Sequence, residues 1–244
     1  RHRSKAMKRL LACLLAAAAL LVAVVASTAA HGGAATPPAA PGSVTPAVDA
    51  TNRLAATLLP LLGAGGNTVF SPYSVATALA MIDQGAAATT ATQIGRVLGG
   101  GSATALAASE RTLSSALAAS VRRSAPGTSA GDLPRLQIAN GLWVGPQLSV
   151  ARPFGALLGH DFGATPQKLD FGAAPEAARL AINAWVAQHT AQRIKGLMPP
   201  GTITAQTRLV LANAIYLKAH WANPFVKAST APGPFEIAGG ATVT

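Results

Sequence analysis

The sequence has 244 residues, of which 19 are Lys or Arg, 8 are Asp or Glu and one is Cys, and half of them are hydrophobic. This length allows one large domain or two small ones, and the apolar content favours a buried core over general disorder. A single cysteine excludes a disulfide framework and any zinc or iron–sulfur site built from cysteines alone.

The first thirty residues have the pattern of a secretory signal peptide. Residues 1–9 carry five positive charges and no negative ones, residues 10–25 are Leu, Ala and Val apart from Cys13, and residues 26–30 are small. This order predicts translation from Met7 and cleavage near residue 29 or 30. The apolar run is short for a membrane span, and Cys13 lies near its start, unlike the cysteine of a lipoprotein signal, which follows the run. We therefore expect a secreted, extracellular protein that is free of the membrane after cleavage.

The rest of the chain indicates one folded domain behind a tether. Residues 31–46 are rich in Ala, Gly, Pro, Ser and Thr, which predicts an extended linker, and residues 47–244 contain no second linker. Without the signal peptide, 14 basic and 8 acidic residues remain, a net charge of +6. These charges are scattered and few aromatic residues lie among them, which argues against nucleic-acid binding.

Four helices and a short strand are predicted before residue 122. Residues 49–62 predict a helix that ends near Pro60, and residues 68–70 a short strand. Ser71 and Pro72 predict the start of a second helix, because the Ser71 hydroxyl can cap it and the fixed φ of proline suits its first turn. The apolar face of this helix is formed by Val75, Ala78, Leu79 and Ile82, with Gly85 at its end. A third helix carries Ile94, Val97 and Leu98 and ends at Gly99, a fourth covers residues 103–121, and a loop covers 126–134.

Two strands of similar sequence are predicted in the second half, at residues 136–144 and 209–217. Both are nearly continuously apolar, which is typical of strands covered on both faces, and each carries one Asn at the matching place, Asn140 and Asn213. Between them, residues 175–189 predict an amphipathic helix. The order of these elements predicts an α+β domain built on a sheet.

The residues themselves indicate neither an enzyme active site nor a cofactor site. Ser129 lies in a Gly-Thr-Ser-Ala-Gly match to the nucleophile elbow of hydrolases, but prolines at 126 and 134 predict a loop instead of the required strand and helix. His160 and Asp161 could belong to a catalytic triad, although a surface pair at a helix end is commoner. The histidines lack partners at metal-ligand spacing, so no metal site is expected.

Longer motifs resemble the serpin family. Residues 67–81, Asn-Thr-Val-Phe-Ser-Pro-Tyr-Ser-Val-Ala-Thr-Ala-Leu-Ala-Met, are similar to the serpin strand that leads into helix B, and residues 182–197 to serpin helix F and the segment after it. Residues 207–221, Thr-Arg-Leu-Val-Leu-Ala-Asn-Ala-Ile-Tyr-Leu-Lys-Ala-His-Trp, resemble the central strand of serpin sheet A. The likeness extends from about residue 48 to 244, and implies N-terminal helices around a large, mainly antiparallel sheet A.

The resemblance also implies a function. Serpins offer an exposed reactive loop to a serine, or sometimes a cysteine, protease, and the cleaved loop inserts into sheet A as a new strand. The full-length protein is then a protease inhibitor, not an enzyme, and is expected to be monomeric. The alternative is a non-inhibitory serpin that acts as a binding or carrier protein, which would be recognised by bulky or charged residues in the loop hinge.

Four residues match functional positions of the family. Ser71, Ser74 and Asn213 match the polar shutter below the opening of sheet A, and Trp221 matches the aromatic residue at the breach where insertion begins. Each also has a purely structural interpretation: a helix cap for Ser71, a bond within the first turn for Ser74, a buried amide for Asn213 and ordinary packing for Trp221. The family's reactive loop and shutter histidine would lie beyond Thr244, so we expect the sequence to be a fragment with an apolar open edge at residues 209–217.

Overall fold

The computed structural model of the chain describes residues 42–63, 68–123, 134–221, 223–237 and 240–243. The predicted signal peptide, most of the predicted tether and Ser129 lie outside these ranges. The predictions for those parts of the chain therefore stay predictions.

Among the described residues, four helices form the N-terminal part of the fold, and their bounds are α1 (Thr45–Leu62), α2 (Pro72–Asp83), α3 (Ala88–Leu98) and α4 (Ala103–Arg123). The first begins inside the predicted tether, because Pro46 fits the first turn of a helix. It continues through Pro60 to Leu62, although Pro60 has no N–H to donate to the carbonyl one turn earlier. The third ends, as predicted, at Gly99, which adopts φ 108°.

Three strands form a mixed sheet in the order β2-β1-β3. The long strands β1 (Arg135–Val144) and β3 (Leu209–Lys218) are antiparallel over ten residue pairs, which confirms both predicted strands. The short strand β2 (Pro166–Lys168) pairs parallel with the end of β1. Within the described residues, β3 is an edge strand.

Helices cover both faces of this sheet. The even-numbered residues Leu142 and Val144 of β1 join a core formed with α1 to α4 and with α5 (Arg152–Phe162). On the opposite face, Trp143 of β1 and Val210 and Ala212 of β3 pack with α6 (Pro175–His189), whose bounds agree with the prediction. Both long strands are therefore covered on both faces, in agreement with their continuous apolar sequence.

The described residues beyond β3 are exposed. It contains a 3-10 turn at Lys227–Ser229 and a small antiparallel ladder of β4 (Phe235–Glu236) with β5 (Thr242–Val243). Its aromatic residues Trp221, Phe225 and Phe235 are all largely exposed.

One local prediction is wrong and another holds only in part. Residues 68–70 form no strand, and Val69 is 99% exposed. On α2, Val75 and Leu79 pack against the core, as predicted, but they are only partly buried. The buried residues of this helix are Ala76, Thr77, Ala80, Met81 and Asp83, because α1, α3 and α4 surround it and bury small and polar residues that an apolar pattern does not single out.

Candidate functional site

Ser71 and Ser74 form one hydrogen-bonded unit at the start of α2. Ser71 is the N-cap, and its Oγ accepts a hydrogen bond from Ser74 N at 3.2 Å and another from Ser74 Oγ at 2.9 Å. The extended backbone at Ser71, followed by Pro72, places the hydroxyl over the free N–H groups of the first turn. The structure therefore confirms the predicted cap at Ser71.

Asn213 is joined to Asn140 across the two long strands. The two residues are direct partners in the antiparallel register, and Asn213 Nδ2 donates to Asn140 Oδ1 at 2.8 Å. Asn140 Nδ2 in turn donates to the backbone oxygen of Phe162 at 2.8 Å, where α5 ends. A polar relay thus runs from the edge strand β3 through β1 to a helix.

The side-chain oxygen of Asn213 lacks a hydrogen-bond donor among the described residues. This Oδ1 is buried, and it accepts no hydrogen bond from any residue that the structure describes. A buried amide oxygen without a donor costs about 1–3 kcal/mol, so this atom marks a place where a donor would be bound favourably.

The four predicted site residues do not form one cluster in the described part of the chain. The serine pair and the asparagine pair are not hydrogen-bonded to each other, although α2, which carries Ser74, packs against β3. Trp221 lies three residues beyond the end of β3, is 73% exposed, and makes an edge contact with Phe225 at a centroid distance of 6.2 Å.

A second polar cluster, which the sequence patterns do not predict, lies between α2 and α4. Glu110 is only 2% exposed, and its Oε2 accepts a hydrogen bond from Thr77 Oγ1 at 3.0 Å. Burial raises the pKa of Glu110 to about 7, although hydrogen bonds from Thr77 and Tyr73 lower it in part. Burial and the nearby Glu110 charge raise the pKa of Tyr73. The signal in the sequence is the spacing of Glu110, four residues after the buried Leu106 on the same helix face.

Asp161 forms an ion pair with Arg111, and the ring of His160 contacts both of these residues rather than a hydroxyl among the described residues. Asp161 Oδ1 lies 2.7 Å from His160 Nδ1 and 3.3 Å from Arg111 Nε. Arg111 Nη1 lies 3.2 Å from His160 Nε2, and because arginine can only donate, Nε2 accepts and Nδ1–H donates to Asp161. Both ring nitrogens are therefore occupied by charged side chains.

The described residues show neither a metal cluster nor a membrane-spanning helix. In these parts of the chain, no group of three or more His, Cys, Asp or Glu side chains is arranged to bind a metal ion. None of the helices described is both long enough and apolar enough to cross a membrane.

Comparison with known proteins gives a consistent result. The family model described as Serpin (serine protease inhibitor) matches residues 49–244. Serpin-ZXA of Oryza sativa subsp. japonica is 35% identical over 196 residues, which cover 78% of this chain and 48% of the rice protein. Serpin-Z7 of Hordeum vulgare is 36% identical over 181 residues, which cover 74% of this chain and 44% of the barley protein. The chain therefore spans less than half the length of the curated relatives it matches.

Solved structures agree with this result. The native stressed conformation of AtSerpin1 from Arabidopsis superposes with a TM-score of 0.70 and 27% identity, covering 82% of this chain and 50% of that one. A cleaved Serpin 42Da superposes with a TM-score of 0.68 and 31% identity, covering 84% and 52%. The fold described here is that of about half of these proteins.

Proposed function

The chain belongs to the serpin family, and on this premise we propose that the protein to which it contributes is a secreted inhibitor of serine proteases. Serpins are generally protease inhibitors rather than catalysts. Because the chain spans less than half the length of its relatives, the inhibitory activity is proposed for the whole protein, with this chain supplying strands of the sheet that receives the loop.

The observation that carries this proposal is the position of β3 at the edge of the described sheet. β3 is a ten-residue strand buried on alternate residues, with β1 on one side and no strand on the other within the described residues. Alternate residues of such a strand direct their N–H and C=O groups away from the paired side. An extended segment placed there would gain a ladder of backbone hydrogen bonds, each worth about 0.5–1.5 kcal/mol.

The proposed chemistry takes place in the target protease. Its serine oxygen attacks the scissile carbonyl of the reactive loop, the C–N bond breaks, and the amine leaves with the proton transferred through the protease histidine. An acyl-enzyme then joins the protease to the new C-terminus of the loop. Insertion of the loop as a strand of the sheet displaces the protease before water can hydrolyse the ester.

Within this mechanism, the relay of Asn213 and Asn140 is proposed to hold the sheet closed until the loop arrives. The free Asn213 Oδ1 would accept a donor from a neighbouring segment, and strand insertion would exchange that donor. Ser71 and Ser74 are proposed to support the same region from α2, and Trp221 to pack at the end of the sheet where insertion starts. These roles follow the family match of the four residues.

The decisive experiment uses the complete product of the gene that encodes this chain. We expect incubation with trypsin-like, chymotrypsin-like and elastase-like proteases to give, with at least one of them, an adduct that survives boiling in detergent. A protease whose catalytic serine is replaced by alanine is the matched control, because it cannot form the ester. If every active protease only cleaves the protein and no adduct appears, the inhibitory function is wrong.

The same experiment addresses the alternative of a non-inhibitory serpin. An inhibitor should unfold at a markedly higher temperature once its loop is cleaved, since the inserted strand extends the sheet. A binding or carrier protein on the same fold would be cleaved without forming an adduct and without this gain in heat resistance.

Secretion is proposed from the first thirty residues. Expression of the gene from Met7 should place the protein outside the cell, with an N-terminus at residue 30 or 31 as measured by mass spectrometry. Replacing Leu20 and Leu21 by arginine should abolish export, because two charges interrupt the apolar run. Replacing Ala39 by serine in the tether is the control and should leave export unchanged.

A further inference from the structure

A small cavity of about 50 Å³ lies where α2, α4, α5 and β1 meet. Its lining is mostly polar and consists of Tyr73, Thr77, Glu110, Ser114, Ile138, Asn140, Asp161 and Phe162. None of the residues in this lining is Lys or Arg. The family match assigns no role to this cavity, although Asn140 in its lining also belongs to the relay with Asn213.

The negative charge of Glu110 is not balanced by a cationic side chain in this lining. Its Oε2 is bound by the neutral hydroxyl of Thr77, and the neutral hydroxyl of Tyr73 lies beside the carboxylate. Its Oε1 is buried and has no hydrogen-bond partner among the described residues. A buried carboxylate oxygen without a donor or a counter-charge is costly.

The other carboxylate of the cavity is already compensated. Asp161 forms an ion pair with the Arg111 guanidinium and accepts a hydrogen bond from the His160 ring. Arg111 is therefore engaged on the surface side, with 47% of its side chain exposed. The net charge that remains in the cavity is the single charge of Glu110.

We propose that this cavity binds one monovalent alkali cation, Na⁺ or K⁺, next to the ionised Glu110 carboxylate. Alkali cations prefer oxygen ligands, and the lining offers carboxylate oxygens from Glu110 and Asp161 and hydroxyl oxygens from Tyr73 and Ser114. Ser114 Oγ donates to the backbone oxygen of Arg111 and so keeps its lone pairs for a cation. About 10–15 Å³ of such space holds one water, so the cavity has room for a cation and a few waters.

A proton competes with the cation for Glu110. The groups around the carboxylate are the Tyr73 hydroxyl on α2, Asp161 with its partner His160 on α5, and Arg111 on its own helix, while β1 contributes only the neutral Asn140 and Ile138. Below neutral pH the carboxyl is protonated and the charge that attracts the cation is lost. Cation binding should therefore strengthen as the pH rises through 7.

The test compares the thermal unfolding midpoint of the full chain in NaCl, KCl and choline chloride, each at about 150 mM, which is close to physiological ionic strength. Choline is too large for the cavity and keeps the ionic strength constant. At pH 8 we expect a midpoint about 2–4 °C higher in NaCl or KCl than in choline chloride. At pH 5.5 this difference should vanish.

Variants identify the site. Glu110→Gln should remove the difference between the salts at pH 8, whereas Glu236→Gln, at an exposed position, should retain it. Equal midpoints of the unmodified chain in all three salts at pH 8 would overturn the proposal even if Glu110→Gln failed to fold. A salt difference that persists at pH 5.5, or in Glu110→Gln, would overturn it as well.

Discussion

Asn140 and Asn213 face each other across β1 and β3, and a 2.8 Å hydrogen bond joins their side chains. Asn140 has a second partner in the backbone oxygen of Phe162. It is therefore the middle of a three-member relay, in which Asn213 is the end nearest the open side of the sheet.

We expect Asn140→Ala to destabilise the chain by about 1–3 kcal/mol, because it leaves Asn213 Nδ2 without an acceptor and the Phe162 oxygen without a donor. Denaturation by urea measures the change. The double variant with Asn213→Ala should lose about 0.5–1.5 kcal/mol less than the sum of the two single losses, since both single variants break the same hydrogen bond.

Gln137→Ala on the same strand is the matched control for this cycle. Its effect and that of Asn213→Ala should be additive, because Gln137 pairs with Tyr216 in the register and not with Asn213. Additivity of Asn140→Ala and Asn213→Ala would contradict the relay.

The serine pair at the start of α2 predicts an order of stability among three variants. Ser71→Ala should cost about 1 kcal/mol, because it removes the N-cap acceptor, and Ser71→Asn should restore most of that loss. Ser74→Ala should cost less, since it keeps the bond from Ser74 N to Ser71 Oγ. Urea denaturation again gives the order, and a Ser74→Ala variant less stable than Ser71→Ala would be inconsistent with it.

These variants also separate capping from the proposed shutter role. If Ser71 acts only as a cap, Ser71→Asn in the complete gene product should form the protease adduct at the unmodified rate. A slower rate at restored stability would indicate a role in the opening of the sheet.

Much of this fold follows from local sequence. The features that could not be predicted have a common cause, because they depend on contacts between distant parts of the chain. The helix at 175–189 and the strands β1 and β3 were predictable because long apolar patterns and their flanking residues determine them locally. The cap at Ser71 was predictable because serine followed by proline is typical of a helix start. By contrast, β2 has three residues and no pattern of its own, and its pairing with β1 depends on the tertiary fold.

The cluster around Glu110 was not predictable for the same reason. Thr77 and Glu110 are 33 residues apart. Nothing in the sequence around either residue indicates that the other is its hydrogen-bond partner. Glu110 lies four residues after the buried Leu106 on the same face of α4, but only the packing of α2 against α4 reveals its partner. The pairing of Asn140 with Asn213 is intermediate, since the two strands have similar sequences and only the register brings the amides together.

The loop between α6 and β3 is held by a buried clamp. Asn183 Oδ1 accepts from Met198 N at 2.9 Å, Asn183 Nδ2 donates to Met198 O at 2.9 Å, and Arg179 Nη1 donates to the same oxygen at 2.7 Å. We expect Asn183→Ala to destabilise the chain by about 1–3 kcal/mol. It should also accelerate hydrogen exchange of the amides in residues 190–208, relative to those of β1.

Gln188→Ala, at an exposed position on the same helix, is the control for helix propensity and should change neither quantity by a comparable amount. Unchanged exchange of the loop amides in Asn183→Ala would show that the clamp does not hold the loop.

The raised pKa of Glu110 predicts how stability depends on pH. This pKa is about 7 in the folded chain, whereas a glutamate in water has its ordinary value of 4.5. Between these two values the folded chain therefore holds a proton that the unfolded chain has lost. Stability must fall as the pH rises from 4.5 to 7 and level off above 7, by on the order of 3 kcal/mol. Choline chloride is the salt for this titration, since it excludes compensation by an alkali cation.

Glu110→Gln should flatten most of this slope, because the glutamine amide has no proton to lose. Burial also raises the pKa of Asp83, which leaves a residual slope of the same sign in the variant. Thr77→Val should move the fall to higher pH, because the Thr77 hydroxyl lowers the pKa of Glu110. The measurement is the free energy of unfolding in urea at several values between pH 4.5 and 8, and a stability that rises over this range in the unmodified chain would exclude a buried, protonated Glu110.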